Sequence, residues 1–216
     1  MKVNKIGGKG SLFDQFMAEI REENIQLDRM RFRRNLQRTG EILAYEISKE
    51  LNFDNEDIQT PLGIASVPTM QEQPVIISIL RAGLPMHEGM LNYLDHADSA
   101  FVGGYRKYEK NDSFDILIDY ITCPDIENRL VIMCDPMLAT GQSMVLTYKE
   151  LLAHGKPKQV HVATLIASKE GIEHLEKYLP ENSTLWVGAI DDELTVKSYI
   201  VPGLGDAGDL VFGEKE

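Results

Sequence analysis

The stretch RLVIMCDPMLATGQSMVLTYKELLAHG, residues 129–155, combines three kinds of local structure and decides the fold class. Residues 129–134 are mostly apolar and predict a short buried strand. Asp135 ends that strand, and the small polar residues 139–143 form a turn into a helix that stops at Gly155. A buried strand, a polar turn and a helix in this order are typical of one unit of a parallel sheet.

The same alternation of strand and helix recurs on both sides of this unit. Further apolar strands are predicted at 74–80, 99–105, 158–167 and 184–190, and amphipathic helices at 11–23, 29–51, 85–94 and 168–179. Short apolar strands separated by helices indicate a sheet with both faces covered. Because parallel crossovers are right-handed, we expect a doubly wound, mostly parallel α/β sheet with flanking helices.

The length and this pattern predict a single domain over residues 1–216, which is ample for one core. We expect an N-terminal helical part at 1–56, followed by a short extended stretch around 58–64. The segment 107–128 interrupts the alternation, and its charged start and short β-like run predict a protruding β-hairpin lid. The C-terminal segment is 191–216, and its glycine-rich stretch 199–214 is expected to form an ordered loop.

Composition limits the function classes. The chain is 43% hydrophobic and 26% charged, and its formal net charge of -12 disfavours general nucleic-acid binding. Two cysteines are too few for a disulfide framework, which favours a reducing compartment. The N-terminal stretch lacks the apolar run of a signal peptide, and the longest apolar runs are too short to cross a bilayer. We therefore expect a cytoplasmic protein without membrane contact.

Ligands of such sheets bind beyond the carboxyl ends of the strands, where Asp135 and the turn 139–143 are expected. Backbone N–H groups at a helix N-terminus, together with two hydroxyls, can hold an anion such as a phosphate. The Asp135 carboxylate can hold ribose hydroxyls of the same ligand. The alternative is a plain strand, turn and helix, with Thr140 or Ser143 as the N-cap.

Three other loops carry candidate groups. Arg81 directly follows the strand 74–80 and is expected to face a ligand anion, the alternative being a pair with a core carboxylate. Arg106 lies at the root of the lid and is a second candidate. The alternative is that it is a solvated charge on the surface of a hairpin. The tail YIVPGLGDAGDLVFGE, 199–214, exposes backbone groups around its glycines, and Asp206 is one of two charges at its centre.

Other charged and nucleophilic residues are assigned weaker roles. The arginines of 29–38 are expected to form a solvated helix face or else an anion or subunit-contact site. The five histidines show no ligand spacing, so no metal site is assigned to them. Cys134 is interpreted as a strand residue that packs in the core and not as a nucleophile.

Several segments together resemble one enzyme family. DPMLATGQS, 135–143, is similar to the ribose-phosphate motif of type I phosphoribosyltransferases. ILRAGL (79–84), GGYR (103–106), YIVPGLGDAGD (199–209) and RFRRNLQRTGEILAYE (31–46) all resemble segments of the uracil phosphoribosyltransferases.

The resemblance implies that uracil and 5-phospho-α-D-ribose 1-diphosphate are converted to UMP and diphosphate in pyrimidine salvage, through an oxocarbenium-like displacement. It implies Asp135, Arg81 and Asp206 as catalytic residues, and Mg²⁺ as a cofactor bound through the substrate with no direct protein ligand. The residues implied for the phosphoribosyl diphosphate are Arg81, Arg106, Asp135, Pro136, Met137, Leu138, Ala139, Thr140, Gly141, Gln142, Ser143 and Asp206. Those implied for uracil are Ile200, Gly205, Asp206 and Ala207.

The resemblance also implies a homodimer or homotetramer and a GTP effector. Gln142 stands where the family usually has a second glycine, and a positive φ there would cost about 1–2 kcal/mol. Without a positive φ nothing is lost. Two other functions are retained as alternatives: a phosphoribosyltransferase for another nucleobase, and a nucleotide-sensing RNA-binding regulator on the same fold.

Overall fold

The computed structural model describes residues 1–108 and 114–214, and for 105–108 and 114–116 it describes the backbone alone. The strands are β1 (Lys2–Lys5), β2 (Phe53–Thr60), β3 (Gly63–Met70), β4 (Val75–Leu80), β5 (Asp98–Tyr108), β6 (Phe114–Thr122), β7 (Leu130–Cys134), β8 (Met137–Leu138), β9 (Gln159–Ser168), β10 (Thr184–Asp191), β11 (Glu193–Leu194) and β12 (Ile200–Val201). The α-helices are α1 (Leu12–Arg21), α2 (Arg29–Ser48), α3 (Gly83–Leu91), α4 (Gln142–Leu151), α5 (Lys169–Tyr178) and α6 (Ala207–Phe212).

The central sheet has the order β1-β10-β9-β7-β4-β5-β6, and β8 pairs with β9 at its side. Its pairings are parallel, apart from the antiparallel pair of β5 with β6. The chain passes from β4 to β5 on one side and later returns to β7 on the other. The direction of winding therefore changes between β4 and β7, and the predicted doubly wound, mostly parallel fold is confirmed.

Helices cover both faces of this sheet. One core cluster joins the sheet to α1, α2 and α3 through residues such as Phe13, Leu36 and Met86. A second cluster joins the opposite face to α4 and α5 through residues such as Val145 and Leu175. Burying these apolar side chains contributes roughly 1.5–3 kcal/mol for each large one, which makes the two clusters the main source of stability.

The helices α2 and α3 pack unusually closely because of their glycines. A Cβ on Gly40 would lie 2.3 Å from the Met86 carbonyl oxygen, and one on Gly89 would lie 2.0 Å from that of Gln37. Gly40 interrupts the apolar pattern of α2 for this reason, and the position serves helix packing.

The structure corrects several element boundaries. The stretch around 58–64 is the turn of a longer hairpin, β2–β3, whose strands pair only with each other in the described part of the chain. β1 was not predicted, α3 begins at Gly83 instead of residue 85, and α6 lies within the expected C-terminal loop. No described helix combines the length and the apolar character that crossing a membrane requires.

The segment 107–128, predicted as a protruding lid, contributes the edge strand β6 to the main sheet through its pairing with β5. Residues 109–113, which follow β5 and precede β6 in the sequence, lie outside the described residues. The register shifts between Gly103 and Gly104, so a bulge interrupts the pairing where the hairpin leaves the main body of the sheet.

Candidate active site

The two strands that flank the change of winding direction each deliver one predicted site residue. β4 ends at Leu80 and is followed by Arg81, whereas β7 ends at Cys134 and is followed by Asp135. The two strands are parallel neighbours, with Ser78 opposite Cys134, so both residues lie at the same carboxyl edge. This edge is where doubly wound sheets open a crevice for ligands.

Asp135 is a partly buried carboxylate in a polar turn. Its Oδ1 accepts the Met137 N–H at 3.1 Å, and its own N–H donates to the Ala163 carbonyl at 3.2 Å. Burial raises the pKa of Asp135 to about 7; the Met137 N–H opposes this shift and the charge of Asp206 adds to it. A ligand with hydroxyl donors or positive charge would therefore be stabilised strongly beside this carboxylate.

The high pKa of Asp135 predicts an unusual pH dependence of stability. Between the ordinary pKa of 3.8 and about 7 the folded chain retains a proton that the unfolded chain loses, so stability falls as pH rises through this window. A shift of this size corresponds to roughly 4 kcal/mol for a fully buried carboxyl and to about 2 kcal/mol for one that is partly exposed, as Asp135 is. Asp135→Asn should therefore raise the melting temperature at pH 8 by about 4–8 °C.

Calorimetry of the ligand-free wild type and variant at pH 4 and pH 8 checks this prediction. The difference between the two proteins should shrink towards pH 4, where the carboxyl is protonated in the folded wild type and partly protonated in the unfolded chain. An equal difference at both pH values would contradict the assignment of the shift to Asp135.

The turn 139–143 is held in place by the start of α5. Ser168, the N-cap of α5, donates from its hydroxyl to the Ala139 carbonyl at 2.5 Å and accepts the Gly171 N–H at 2.8 Å. Gly141 has φ +76°, and a Cβ there would lie 2.9 Å from the Gly171 carbonyl oxygen. Close packing with α5 therefore fixes the backbone of this turn.

The N-cap of α4 is Gly141, where Thr140 or Ser143 had been the alternatives. Gln142 is the first residue of the helix and is not among the residues with positive φ. The exchange of glycine for glutamine therefore causes no backbone strain. The first N–H groups of a ten-residue helix point out of the turn, as an anion site requires.

The remaining residues of the motif differ in what they can offer a ligand. Leu138 is buried, and β8 pairs with β9, so only its backbone could contribute. The Pro136 carbonyl already accepts the N–H groups of Leu165 and Ile166. Arg106 pairs with Ile116 along β5 and β6, and its side chain lies outside the described residues.

Arg81 contacts the C-terminal segment. Its Nη2 donates to Asp209 Oδ1 at 3.0 Å and to the Gly213 carbonyl at 3.2 Å, while its Nε is buried without a partner among the described residues. The pairing with a carboxylate that had been the alternative is thus present. The pair is about one third exposed, with Arg81 at 37% and Asp209 at 33%, so it is not a core pair.

The C-terminal segment contacts Arg81 at the carboxyl edge of the sheet and has a defined backbone around its glycines. Asp206 is the N-cap of α6 and accepts the Asp209 N–H at 3.1 Å, whereas Ala207 is buried as the first helical residue. Gly205 has φ +91° and open space around it, which leaves its backbone accessible. The residues predicted for uracil thus lie at one helix start, together with the Ile200 strand that precedes it.

Sequence reasoning missed the arginines that hold this segment. Arg33 of α2 donates to the Val211 carbonyl at 2.9 Å, and Arg21 of α1 donates to the Gly203 carbonyl at 2.9 Å. Their helical patterns alone contain no signal for these contacts. Asp191, the partner of Arg21, ends strand β10 as Asp135 follows β7, so the strand-end rule could have found it.

The described residues contain no group of three or more His, Cys, Asp or Glu side chains that could hold a metal ion. The charge of Asp206 adds to the rise in the pKa of Asp135, so the two carboxylates lie close to each other at this edge. Two carboxylates are too few for a complete magnesium site but fit an ion that receives most ligands from substrate oxygens and water.

A sequence model of the uracil phosphoribosyltransferases matches residues 9–214. The chain belongs to the uracil phosphoribosyltransferase family. A relative of that name from Porphyromonas gingivalis is 50% identical over 215 residues and covers all of both chains. Another from Methanothermobacter thermautotrophicus is 37% identical, covering 87% of this chain and 86% of its own.

The solved structure of the AQ2163 protein from Aquifex aeolicus is similar in fold, with a TM-score of 0.86, 30% identity and 97% coverage of both chains. Family membership makes the chain a transferase that acts on uracil and the activated phosphoribosyl donor, as the resemblance implied. Pyrimidine salvage is the role expected of such an enzyme.

Proposed function

We propose that the crevice between β4 and β7 binds 5-phospho-α-D-ribose 1-diphosphate. The Asp135 carboxylate accepts the ribose hydroxyls, and the backbone of 136–143 with the hydroxyls of Thr140 and Ser143 binds the 5′-phosphate. Arg81 and Arg106 contact the diphosphate. The observation that carries this assignment is the meeting of a strand-end carboxylate, an anion-binding turn and a strand-end arginine at one edge.

Uracil is bound by backbone groups of Ile200 and of Gly205 to Ala207. The positive φ of Gly205 and the space around it support a close approach of the main chain to a flat base. Backbone N–H groups facing the uracil oxygens would meet a donor in the exocyclic amine of cytosine. A complex with cytosine would therefore contain unpaired polar groups, which favours uracil over cytosine.

The reaction joins uracil N1 to the anomeric carbon while the bond from that carbon to diphosphate breaks. Diphosphate leaves with the electron pair, and the proton of N1 passes to solvent or to the departing diphosphate. Asp135 and Asp206 lie where positive charge develops on the ribose, and Arg81 neutralises the leaving group. A Mg²⁺ ion held by substrate oxygens near Asp135 and Asp206 would supply further neutralisation of charge. The hairpin 107–128 excludes water, which would otherwise hydrolyse the sugar.

An assay of the purified protein with uracil, cytosine, hypoxanthine and orotate tests this proposal. We expect UMP from uracil with an at least 100-fold higher kcat/KM than for any other base, because each mismatch leaves a buried polar group unpaired. The Mg²⁺ requirement is read in the same assay by adding a chelator. Absence of UMP at saturating substrates, or preference for another base, overturns the substrate assignment.

The hairpin β2–β3 supports a homodimer or homotetramer. Its residues are mostly exposed on both faces, including Leu62 and Ile64, and a two-stranded hairpin is marginally stable by itself. It carries three acidic residues and no basic ones, whereas α2 of a second copy would present exposed arginines such as Arg31. We therefore infer that the hairpin docks onto another copy of the chain.

Leu62→Asp combined with Ile64→Asp should weaken self-association at least tenfold, because charges replace the apolar side chains buried between copies. Light scattering during size-exclusion chromatography measures the mass against the 24.3 kDa of one chain. Val196→Asp, at an equally exposed loop position, serves as the control. An unchanged mass in the double variant would contradict the docking.

The predicted GTP effector is tested in the same measurement. The arginines of 29–38 are the proposed anion site, although Arg33 is occupied by the Val211 carbonyl. GTP bound at these arginines should raise the rate of UMP formation or the mass of the assembly, and no change in either removes the proposal.

We further propose one catalytic domain over residues 1–216 and a cytoplasmic location.

A further inference from the structure

A partly buried ion pair joins the end of α1 to the end of β10. Arg21 binds Asp191 with both terminal nitrogens, Nη1 to Oδ2 at 2.8 Å and Nη2 to Oδ1 at 2.9 Å. The Asp191 side chain is only 8% exposed and that of Arg21 is 24% exposed. Paired, charge-assisted hydrogen bonds of this kind fix both side chains in one orientation.

The same pair holds both polar backbone groups of Gly203. The Gly203 N–H donates to Asp191 Oδ2 at 2.9 Å, and its carbonyl accepts from Arg21 Nη1 at 2.9 Å. Gly203 has φ +54°, and a Cβ there would lie 2.1 Å from the Ile200 carbonyl oxygen. One ion pair thus determines where the backbone turns, two residues before Gly205.

The charge on Asp191 persists at neutral pH. Burial raises the pKa of this carboxyl, but the hydrogen bonds from Arg21 and from the Gly203 N–H, together with the nearby charge of Lys5, more than offset it. The resulting pKa lies below its ordinary value.

A further contact holds the residue after Gly203. With its nitrogen facing the Leu204 carbonyl, the Gln26 side-chain amide donates to that oxygen at 3.0 Å.

We propose that Arg21 and Asp191 are positioning residues that set the orientation of the uracil-binding backbone from Gly205 to Ala207. The inference rests on the base site proposed above and adds the residues that organise it. A backbone site has no side chain of its own to fix its direction, so its precision comes from supporting contacts. Without the Arg21–Asp191 ion pair the segment would be less ordered before binding, and ordering it would weaken the binding of uracil.

Arg21→Ala should raise the KM for uracil about tenfold or more, because charge-assisted bonds to the turn are lost. The KM for the phosphoribosyl donor should change by less than about threefold, since Arg81, Asp135 and the turn 139–143 come from other elements and only Asp206 of that site lies on the segment that Arg21 holds. Arg21→Lys retains the charge but not the two terminal nitrogens of the planar guanidinium, and it should give an intermediate KM for uracil. General destabilisation would not produce this split between substrates.

Arg129→Ala is the matched control. Arg129 has similar exposure at 27%, and it pairs with Asp98 and approaches the Gln73 carbonyl at the opposite, amino edge of the sheet. Its replacement should lower the melting temperature while leaving the KM for uracil unchanged. An Arg129→Ala effect on uracil equal to that of Arg21→Ala would overturn the positioning role.

Asp191→Asn gives a second approach, and it is combined with Arg21→Lys if Arg21→Ala does not fold. It should also raise the KM for uracil, and the two changes combined should cost less than the product of their separate effects because they act through one anchor. Independent, multiplicative effects would overturn the proposal.

Hydrogen exchange distinguishes the proposed base site from the proposed positioning role of Arg21 and Asp191. UMP should protect the amides of 199–210 in the wild type, and Arg21→Ala should exchange faster there. Absence of UMP protection in the wild type would remove the base site itself. Protection in the wild type with an unchanged KM for uracil in both variants would remove only the positioning role.

Discussion

Asp135→Asn should lower kcat about 1,000-fold. The change preserves size but removes the one carboxylate that follows β7, which is proposed to hold the ribose hydroxyls beside the developing positive charge. The carboxylate is partly buried, so little water screens its charge, and the amide cannot replace it. Initial rates of UMP formation at saturating substrates measure the effect.

The control for this prediction is Asp98→Asn at the opposite edge of the sheet. Asp98 begins β5 and is paired with Arg129, so its replacement alters a surface pair without approaching the crevice. Its kcat should stay within about twofold. A kcat for Asp135→Asn within threefold of the wild type, about 0.7 kcal/mol, would refute the assigned role.

Arg81→Ala should lower kcat/KM for the phosphoribosyl donor by about 100-fold to 1,000-fold. Removal of the guanidinium leaves the departing diphosphate without its partner at the end of β4, a contact that is needed most in the transition state. Arg81→Lys retains a point charge but loses the planar fork and should recover only part of the rate.

The pairing of Arg81 with Asp209 requires a second variant to interpret this loss. Arg81→Ala also removes bonds to Asp209 and to the Gly213 carbonyl, which could displace α6. Asp209→Asn breaks the ion pair but retains the guanidinium, so its effect on kcat/KM should be much smaller. Equal losses in the two variants would assign Arg81 to holding α6 and not to the diphosphate.

The interior of the fold was predictable from the sequence because its elements have strong local patterns. β7 and β9 are continuous apolar runs, and Ser168 is a good N-cap placed before an amphipathic helix. The strand-end rule then located Arg81 and Asp135 without further information. In each case the signal lies within about fifteen consecutive residues.

The missed elements depend on distant contacts. β1 is a mostly exposed edge strand of four residues that exists through its pairing with β10, about 180 positions later along the chain. β2–β3 is exposed on both faces, so it has no alternating pattern to read. Arg21 becomes recognisable only when α1 is placed beside Gly203, which sequence spacing cannot provide.

The contact between Arg81 and the Gly213 carbonyl has a practical consequence for handling the protein. A bulky group attached to the backbone next to Gly213 would lie beside Arg81 and crowd the proposed diphosphate site. A label attached beside β1 would instead lie at the edge strand of the sheet, which pairs only with β10 among the described strands. Labels for kinetic work and crystallisation should therefore be placed near β1.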